Sequence, residues 1–265
     1  YSMKNNNPLN LKKRKILITG GYGILGKSIT NELIRNNAKI IIIDKKQISL
    51  KKNHRLQQKG IHYFNADLRD IEEIKSLSKK SIFKNLYGII NNAAIDTPPK
   101  QNRVIKKFFD QESKYLDEEI NSNIKIYLNT CRVFGKILYK NKIGNIINVS
   151  SIYGMLSPDQ SIYKQAKLNF EKPISYTIAK SSIYGFTKYL CQYFKDRNVR
   201  VNTVTLSGIY NSQDRNFVKI LSNKIPLRRM MRSQEAAQAI CFMISDYSSY
   251  INGENIIIDG GYSSI

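Results

Sequence analysis

Short apolar runs punctuate the chain, and most are followed by a stretch whose apolar residues recur at helical spacing. KILIT (15–19), KIIIID (39–44), IHYFNAD (61–67), LYGIINNAA (86–94), GNIINVSS (144–151), VRVNTVT (199–205) and ENIIID (254–259) are such runs. Short runs rich in Ile and Val, without strict alternation, predict strands buried on both faces. Helices are predicted after the glycine-rich turn to about residue 37, over DIEEIKSLSKKSIF, from 113 to 140, from 176 to 194 and from 233 to 246. In the fourth of these, Ile183, Thr187, Leu190 and Phe194 form one stripe; in the fifth, Ser233 is the expected N-cap. Strand–helix alternation predicts an α/β fold, a doubly wound, seven-stranded parallel sheet in a single domain. No repeat or linker divides the chain. Residues 1–13 are polar and read as a flexible tail, leaving 14–265 as the domain.

Composition narrows the classes of function. No apolar run approaches the roughly 18 residues of a membrane span, and no leader pattern opens the chain. Cys131, Cys191 and Cys241 lie far apart, without metal-ligand spacing, and read as free thiols of a cytoplasmic protein. His54, in a basic loop, and His62, at a strand start, suggest no chemistry. The formal charge of +23 comes with lysines scattered along the chain, densest at 12–15 and 45–55. That scatter describes a solvated surface able to attract phosphorylated ligands, and disfavours nucleic acid as the partner.

TGGYGILG (19–26) follows the first strand and opens the first helix, the context a dinucleotide-binding turn requires. Gly20 permits the tight turn, Gly23 a close approach of a pyrophosphate, and Gly26 close packing of helix on strand. Asp44 ends the second strand, where a carboxylate accepts bonds from a ribose and repels a 2′-phosphate. This favours NAD over NADP, although Lys45 and Lys46 follow directly. Tyr-x-x-x-Lys, an acid/base pairing on one helix face, occurs three times: Tyr163/Lys167, Tyr176/Lys180 and Tyr184/Lys188. With 17 Tyr and 31 Lys, about two such pairs are expected by chance, so the pattern alone selects none.

From Lys15 to Tyr262 the chain resembles the short-chain dehydrogenases/reductases. The resemblance is carried by the glycine turn at 19–26, Asp67-Leu68, Asn91–Ala94, Asn148–Ser151 and Asp-Gly-Gly at 259–261. In that family the active-site lysine sits on a helix running uninterrupted to a Val-Asn strand. Lys180 lies 22 residues before Asn202, while Pro173 would break a helix from Lys167 and Lys188 lies too close. Tyr176 and Lys180 are therefore the expected pair. Tyr163/Lys167 then falls on the surface of a substrate loop, and Tyr184/Lys188 serves helix packing or an interface.

The resemblance implies NAD(P)-dependent interconversion of a secondary alcohol and a ketone. Tyr176 would be the acid/base, Lys180 its partner, Ser151 the second donor to the reacting oxygen (Ser150 is its rival), and Asn123 a relay member (Asn121 is adjacent). The implied cofactor contacts are Gly20, Tyr22, Gly23, Ile24, Leu25, Gly26, Asp44, Asp67, Leu68, Asn92, Ala93, Ala94, Ser207 and Ile209, together with Tyr176 and Lys180. No metal is implied. Ala94 replaces a glycine of the family pattern and Ser207 a proline. The glycine spacing is that of the family's longer branch. The 25 residues from Ser151 to Tyr176 are about twice the usual gap, and 152–175 reads as a substrate-recognition insert. The run SSIYG…SP…P..Y…K further resembles bacterial oxidoreductases of surface polysaccharides and flagellin modification. That implies a sugar or nucleotide-linked sugar as substrate, possibly phosphorylated, and a homodimer or homotetramer. The alternatives are a reductase of general ketones or 3-oxoacyl thioesters and a non-catalytic dinucleotide-binding regulator.

Overall fold

A computed structural model describes residues 9, 11–96 and 108–264. Seven strands form one parallel sheet: β1 (Lys15–Thr19), β2 (Lys39–Asp44), β3 (Ile61–Asn65), β4 (Leu86–Asn91), β5 (Gly144–Ser151), β6 (Val199–Leu206) and β7 (Asn255–Ile258). Their order is β3-β2-β1-β4-β5-β6-β7, with every neighbouring pair parallel. The doubly wound sheet expected from the alternation is therefore present.

Alternate residues of the central strands enter two separate cores, as the pleat requires. Ile16, Ile18, Ile40 and Ile42 pack with Ile29 and Leu33 of α1 (Ile24–Arg35) and Ile240 and Ile244 of α9 (Ser233–Ile244). Leu17, Ile41, Ile43 and Ile89 pack on the other face with Ile74 of α3 (Ile71–Ser78), Ile126 of α4 (Ser113–Thr130), Leu138 of α5 (Lys136–Asn141) and Ile183 of α7 (Ile174–Tyr193). Strands covered on both faces need unbroken apolar runs, which is why these segments do not alternate. The strand order reverses between β1 and β4, and the crevice beyond their C-terminal ends is where a doubly wound sheet binds ligands.

Several boundaries differ from the expectation. The helix expected over 113–140 is interrupted by a wider turn at Cys131–Gly135. Thr130 Oγ1 donates to the Ile126 carbonyl at 2.7 Å, a side-chain bond that competes with the helical ladder. The N-cap of α9 is Arg232 rather than Ser233: Glu235 accepts from the Arg232 N–H at 2.8 Å, and Ser233 instead pairs with Ser28 on α1. His54 is not in a loop but in α2 (Leu50–Gln58), a helix that buries no residue and so carries no apolar stripe to read. Most of the expected tail, residues 1–8 and 10, lies outside the described residues. Leu11, inside its stated bounds, is 2% exposed and belongs to the first core, so ordered structure begins before residue 14.

The 152–175 segment folds into a short turn at Ile152–Gly154 and the helix α6 (Ser161–Gln165). It joins α8 (Arg215–Asn223), which the sequence pattern did not reveal, in a third small core. Tyr163 stacks on Phe217 with centroids 5.5 Å apart, and Phe170 packs edge-on at 4.8 Å. Tyr163 is 3% exposed, so the expected surface position for the Tyr163/Lys167 pair is wrong. Only Lys167 of the pair is exposed, at a turn with φ 56°.

Candidate active site

The glycine turn is locked by its own backbone. Gly20 has φ +64°, and a β-carbon there would lie 2.9 Å from the Ala93 α-carbon. A β-carbon on Gly26 would lie 2.2 Å from the Gly20 carbonyl oxygen, so α1 reaches this turn only without a side chain. Asn92 clasps the turn from β4, donating to the carbonyls of Thr19 at 3.0 Å and Gly20 at 3.1 Å. The Asn92 and Ala93 N–H groups both donate to Thr19 Oγ1 at 3.0 Å. The result is a cleft of about 790 Å³ facing the N-terminus of α1.

Gly20, Tyr22, Gly23, Ile24, Leu25, Gly26, Asp44, Asp67, Leu68, Asn92, Ala93 and Ala94 all line this cleft, so the structure gathers twelve separately predicted positions. Asp44 accepts from Tyr22 N–H at 2.9 Å and Lys46 N–H at 3.0 Å, one bond per oxygen, which leaves acceptor capacity on both. Asp67 is held by Arg69 at 2.6 Å, and that hydrogen-bonded guanidinium keeps its carboxyl below the usual range. Lys27, Lys46 and Lys52 place ammonium groups 5.3, 5.5 and 4.6 Å from the Tyr22 ring centre, so one end of the cleft is basic. Orphan helix N–H groups, a backbone turn that no β-carbon obstructs, and a strand-end carboxylate fit a dinucleotide: pyrophosphate at α1, ribose at Asp44.

A second cleft, about 620 Å³, adjoins the first and shares Ile24, Leu25, Asn92, Ala94 and Asp96 with it. Ser151, Tyr176, Lys180, Ser207 and Ile209 line it. Pro173 is the residue before α7, so the proline starts this helix instead of interrupting it. Tyr176 and Lys180 follow in its first two turns. Burial pushes the Tyr176 phenol up to about 12, against the pull of the Lys180 ammonium; Asp96 adds to the rise and a bond with Ser151 opposes it. Lys180 is 6% exposed and donates to Tyr127 OH and to the Val149 carbonyl, both at 3.2 Å. Tyr127 OH in turn donates to Val149 O at 2.8 Å, and its burial raises its pKa well above the usual phenol value.

The rivals separate by their bonds. Ser150 Oγ donates to the Lys180 carbonyl at 3.0 Å and is 3% exposed, while Ser151 is part-exposed at the cleft. Tyr184 OH contacts Ser151 O at 3.2 Å and Thr205 Oγ1 at 3.1 Å, a packing role, and Lys188 pairs with Glu254 on the surface. Asn121 is exposed and Asn123 is 3% exposed. The Asn123 side chain clamps the Ile95 backbone, accepting at 2.8 Å and donating at 3.0 Å, and lines neither cleft. Tyr127, Asp96 and Lys172 were not singled out from sequence. The signal for Tyr127 was its place one turn after Asn123 on the same helix face.

A family model described as enoyl-(acyl carrier protein) reductase matches residues 23–263. The chain belongs to the short-chain dehydrogenase/reductase family. This membership makes it an NAD(P)-dependent oxidoreductase. Among curated relatives of this family, an acetoacetyl-CoA reductase of Acinetobacter is 26% identical, over 94% of this chain and 98% of its own. A post-translational flagellin modification protein A of Campylobacter coli is 21% identical, over 95% and 99%. Among solved members, a short-chain dehydrogenase of Leptospira borgpetersenii with bound NAD+ superposes with a TM-score of 0.85 at 26% identity, covering 99% of this chain and 98% of that one. No helix among the described residues is long and apolar enough to cross a membrane.

Proposed function

We propose that the protein interconverts a secondary alcohol and a ketone on a sugar or nucleotide-linked sugar destined for a surface glycan or flagellin, with NAD preferred over NADP. The observation that carries this reading is one phenol, Tyr176, set between Lys180 and Ser151 where the glycine-turn cleft opens into the second cleft.

NAD(P), when bound, takes or supplies the hydride. The chain's own residues handle the proton. In oxidation, ionised Tyr176 accepts the proton of the substrate hydroxyl while Ser151 donates a hydrogen bond to the same oxygen. In reduction, Tyr176 returns the proton. Lys180 is oriented by Tyr127 and Val149, which use two of its three donors; the third remains for a ribose hydroxyl. Asn123 acts on this scheme through Ile95, next to Asp96. Because burial holds Tyr176 protonated across neutral pH, oxidation should accelerate as pH rises through the alkaline range, whereas reduction should not.

Support for a polyhydroxylated substrate comes from the polar and aromatic groups Asn211, Gln213, Tyr153 and Tyr262 in the second cleft, and from the flagellin-modifying relative. The cleft also holds Phe217, Leu221, Ile225 and Met230, and a second relative reduces acetoacetyl-CoA by name, so a 3-oxoacyl thioester is the rival substrate. We further propose a cytoplasmic homodimer or homotetramer, with no nucleic-acid partner. Ile124 and Leu128 on α4 and Ile178 on α7 are 36%, 38% and 42% exposed, an apolar face suited to self-association. Mass spectrometry of a sugar and sugar-nucleotide pool incubated with the protein and NAD+ tests the substrate. A product lacking two hydrogens is expected; turnover of acetoacetyl-CoA with NADH, or of 3-hydroxybutyryl-CoA with NAD+, with no sugar changed would sink the glycan reading.

A further inference from the structure

The insert delivers a second ammonium to Tyr176. Lys172 lies two residues before α7, and its side chain is only 7% exposed. Its Nζ sits 3.8 Å from the centre of the Tyr176 ring, against 5.8 Å for Lys180 Nζ. The backbone of Lys172 is held at both ends of one residue: its N–H donates to Gln160 Oε1 at 2.9 Å, and Gln160 Nε2 donates to its carbonyl at 2.9 Å. Its ammonium is ion-paired with Asp96, which lies after β4 and lines both clefts. Lysines ordinarily bury the stem and leave the charged head in water. Here the head is withdrawn from water and set on an aromatic face, an arrangement whose desolvation cost is offset by the Asp96 carboxylate and the ring.

We propose that Lys172 is a positioning residue, a second cation that favours the ionised form of Tyr176 from the ring face, with Asp96 setting how much of that charge the phenol feels. This rests on the acid/base role proposed for Tyr176. An aromatic face already attracts a cation, and ionising the phenol adds negative charge to it. An ammonium 3.8 Å from the ring centre therefore gains more from tyrosinate than from tyrosine. Asp96 acts in the opposite sense, because its carboxylate repels the tyrosinate. The groups facing Tyr176 are Lys180 on α7, Tyr127 on α4, Ser151 at the end of β5, Tyr163 on α6, Asp96 after β4 and Lys172 itself. Of these, the two lysines are the cations, one from the helix and one from the insert. The 152–175 segment thus contributes to proton transfer as well as to the substrate cleft.

The test places 3,5-difluorotyrosine at position 176, whose more acidic phenol ionises where the protein stays folded, and follows the 19F signal of its two ring fluorines against pH with NAD+ saturating. Lys172→Met is expected to raise the midpoint by about one pH unit, the scale of a nearby opposite charge. Lys172→Arg should return it to near the parent value, and Asp96→Asn should lower it. A midpoint unmoved by Lys172→Met, or moved in the same direction by Lys172→Met and Asp96→Asn, would overturn the proposal. Circular dichroism checks folding. If Lys172→Met does not fold, Asp96→Asn decides, since a half-exposed carboxylate tolerates the change and an unmoved midpoint there also overturns the proposal. The readout needs no substrate. A shift of the expected signs in a protein that oxidises nothing would count against the reaction, while intact turnover with an unmoved midpoint would count against Lys172.

Discussion

Three Tyr-x-x-x-Lys pairs have three separate fates. Tyr163 is a core residue of the insert, Tyr184 braces the ends of β5 and β6, and Tyr176 faces the cleft beside Lys180. The family resemblance singled out the last pair, through the spacing from Lys180 to Asn202 and the place of Pro173, because a helix start and its distance to the next strand are one-dimensional facts. Tyr127, Asp96 and Lys172 were not legible. Tyr127 and Asp96 reach the site across large sequence separations, and Lys172, although only four residues before Tyr176, lies outside the helix that carries it, so only the packed fold brings a buried phenol, a loop carboxylate and an insert lysine around one ring. The proposed preference for NAD rests, at the residue scale, on Asp44. Asp44→Asn removes the charge that repels a 2′-phosphate while Lys27, Lys46 and Lys52 remain nearby, so the preference for NAD over NADP should fall by on the order of tenfold. Titrating both dinucleotides against the variant checks this; an unchanged ratio would remove Asp44 from that role.

At the scale of elements, all seven strands were legible because each reads as a short apolar run, the central ones buried on both faces and β7 only partly buried, with Ile257 exposed. The misses have a common physical cause. α2 buries nothing and α8 is short, with only Phe217 and Leu221 buried, so neither offers a sustained stripe. The insert was legible as extra length but not as structure, since its core is shared with α8 some fifty residues later. Phe217 is its keystone, 7% exposed and stacked on Tyr163. Phe217→Ala should free the insert from α8, at a local cost of about 3–5 kcal/mol. Limited proteolysis should then cut within 152–175 faster than in the parent protein, while NAD+ affinity is retained. Equal resistance to protease would show that the insert is held by other contacts.

For the whole molecule, seven phenols among the described residues hold their protons more tightly in the folded state. Burial raises Tyr63, Tyr87, Tyr127, Tyr153, Tyr163, Tyr176 and Tyr262 above the ordinary value near 10. The unfolded chain releases these protons near pH 10 and the folded chain only later, so the stability they confer is complete below pH 10 and lost as pH rises beyond it. The melting temperature should fall progressively as pH rises from about 10 toward about 12. A flat profile would mean the tyrosines ionise without unfolding. Self-association along α4 and α7 is testable by light scattering. A parent dimer or tetramer converted to monomer by Leu128→Asp is expected, and a monomeric parent would refute it.

The proton-transfer assignment to Tyr176 bears most of the functional weight. NAD+ binding and substrate turnover measured side by side in the parent protein and in Tyr176→Phe test it most directly. The variant keeps the ring, and with it the packing against Lys172. It is expected to bind NAD+ as the parent does and to lose turnover by about 100-fold or more. A Tyr176→Phe protein that binds NAD+ and turns over at the parent rate would contradict the assignment.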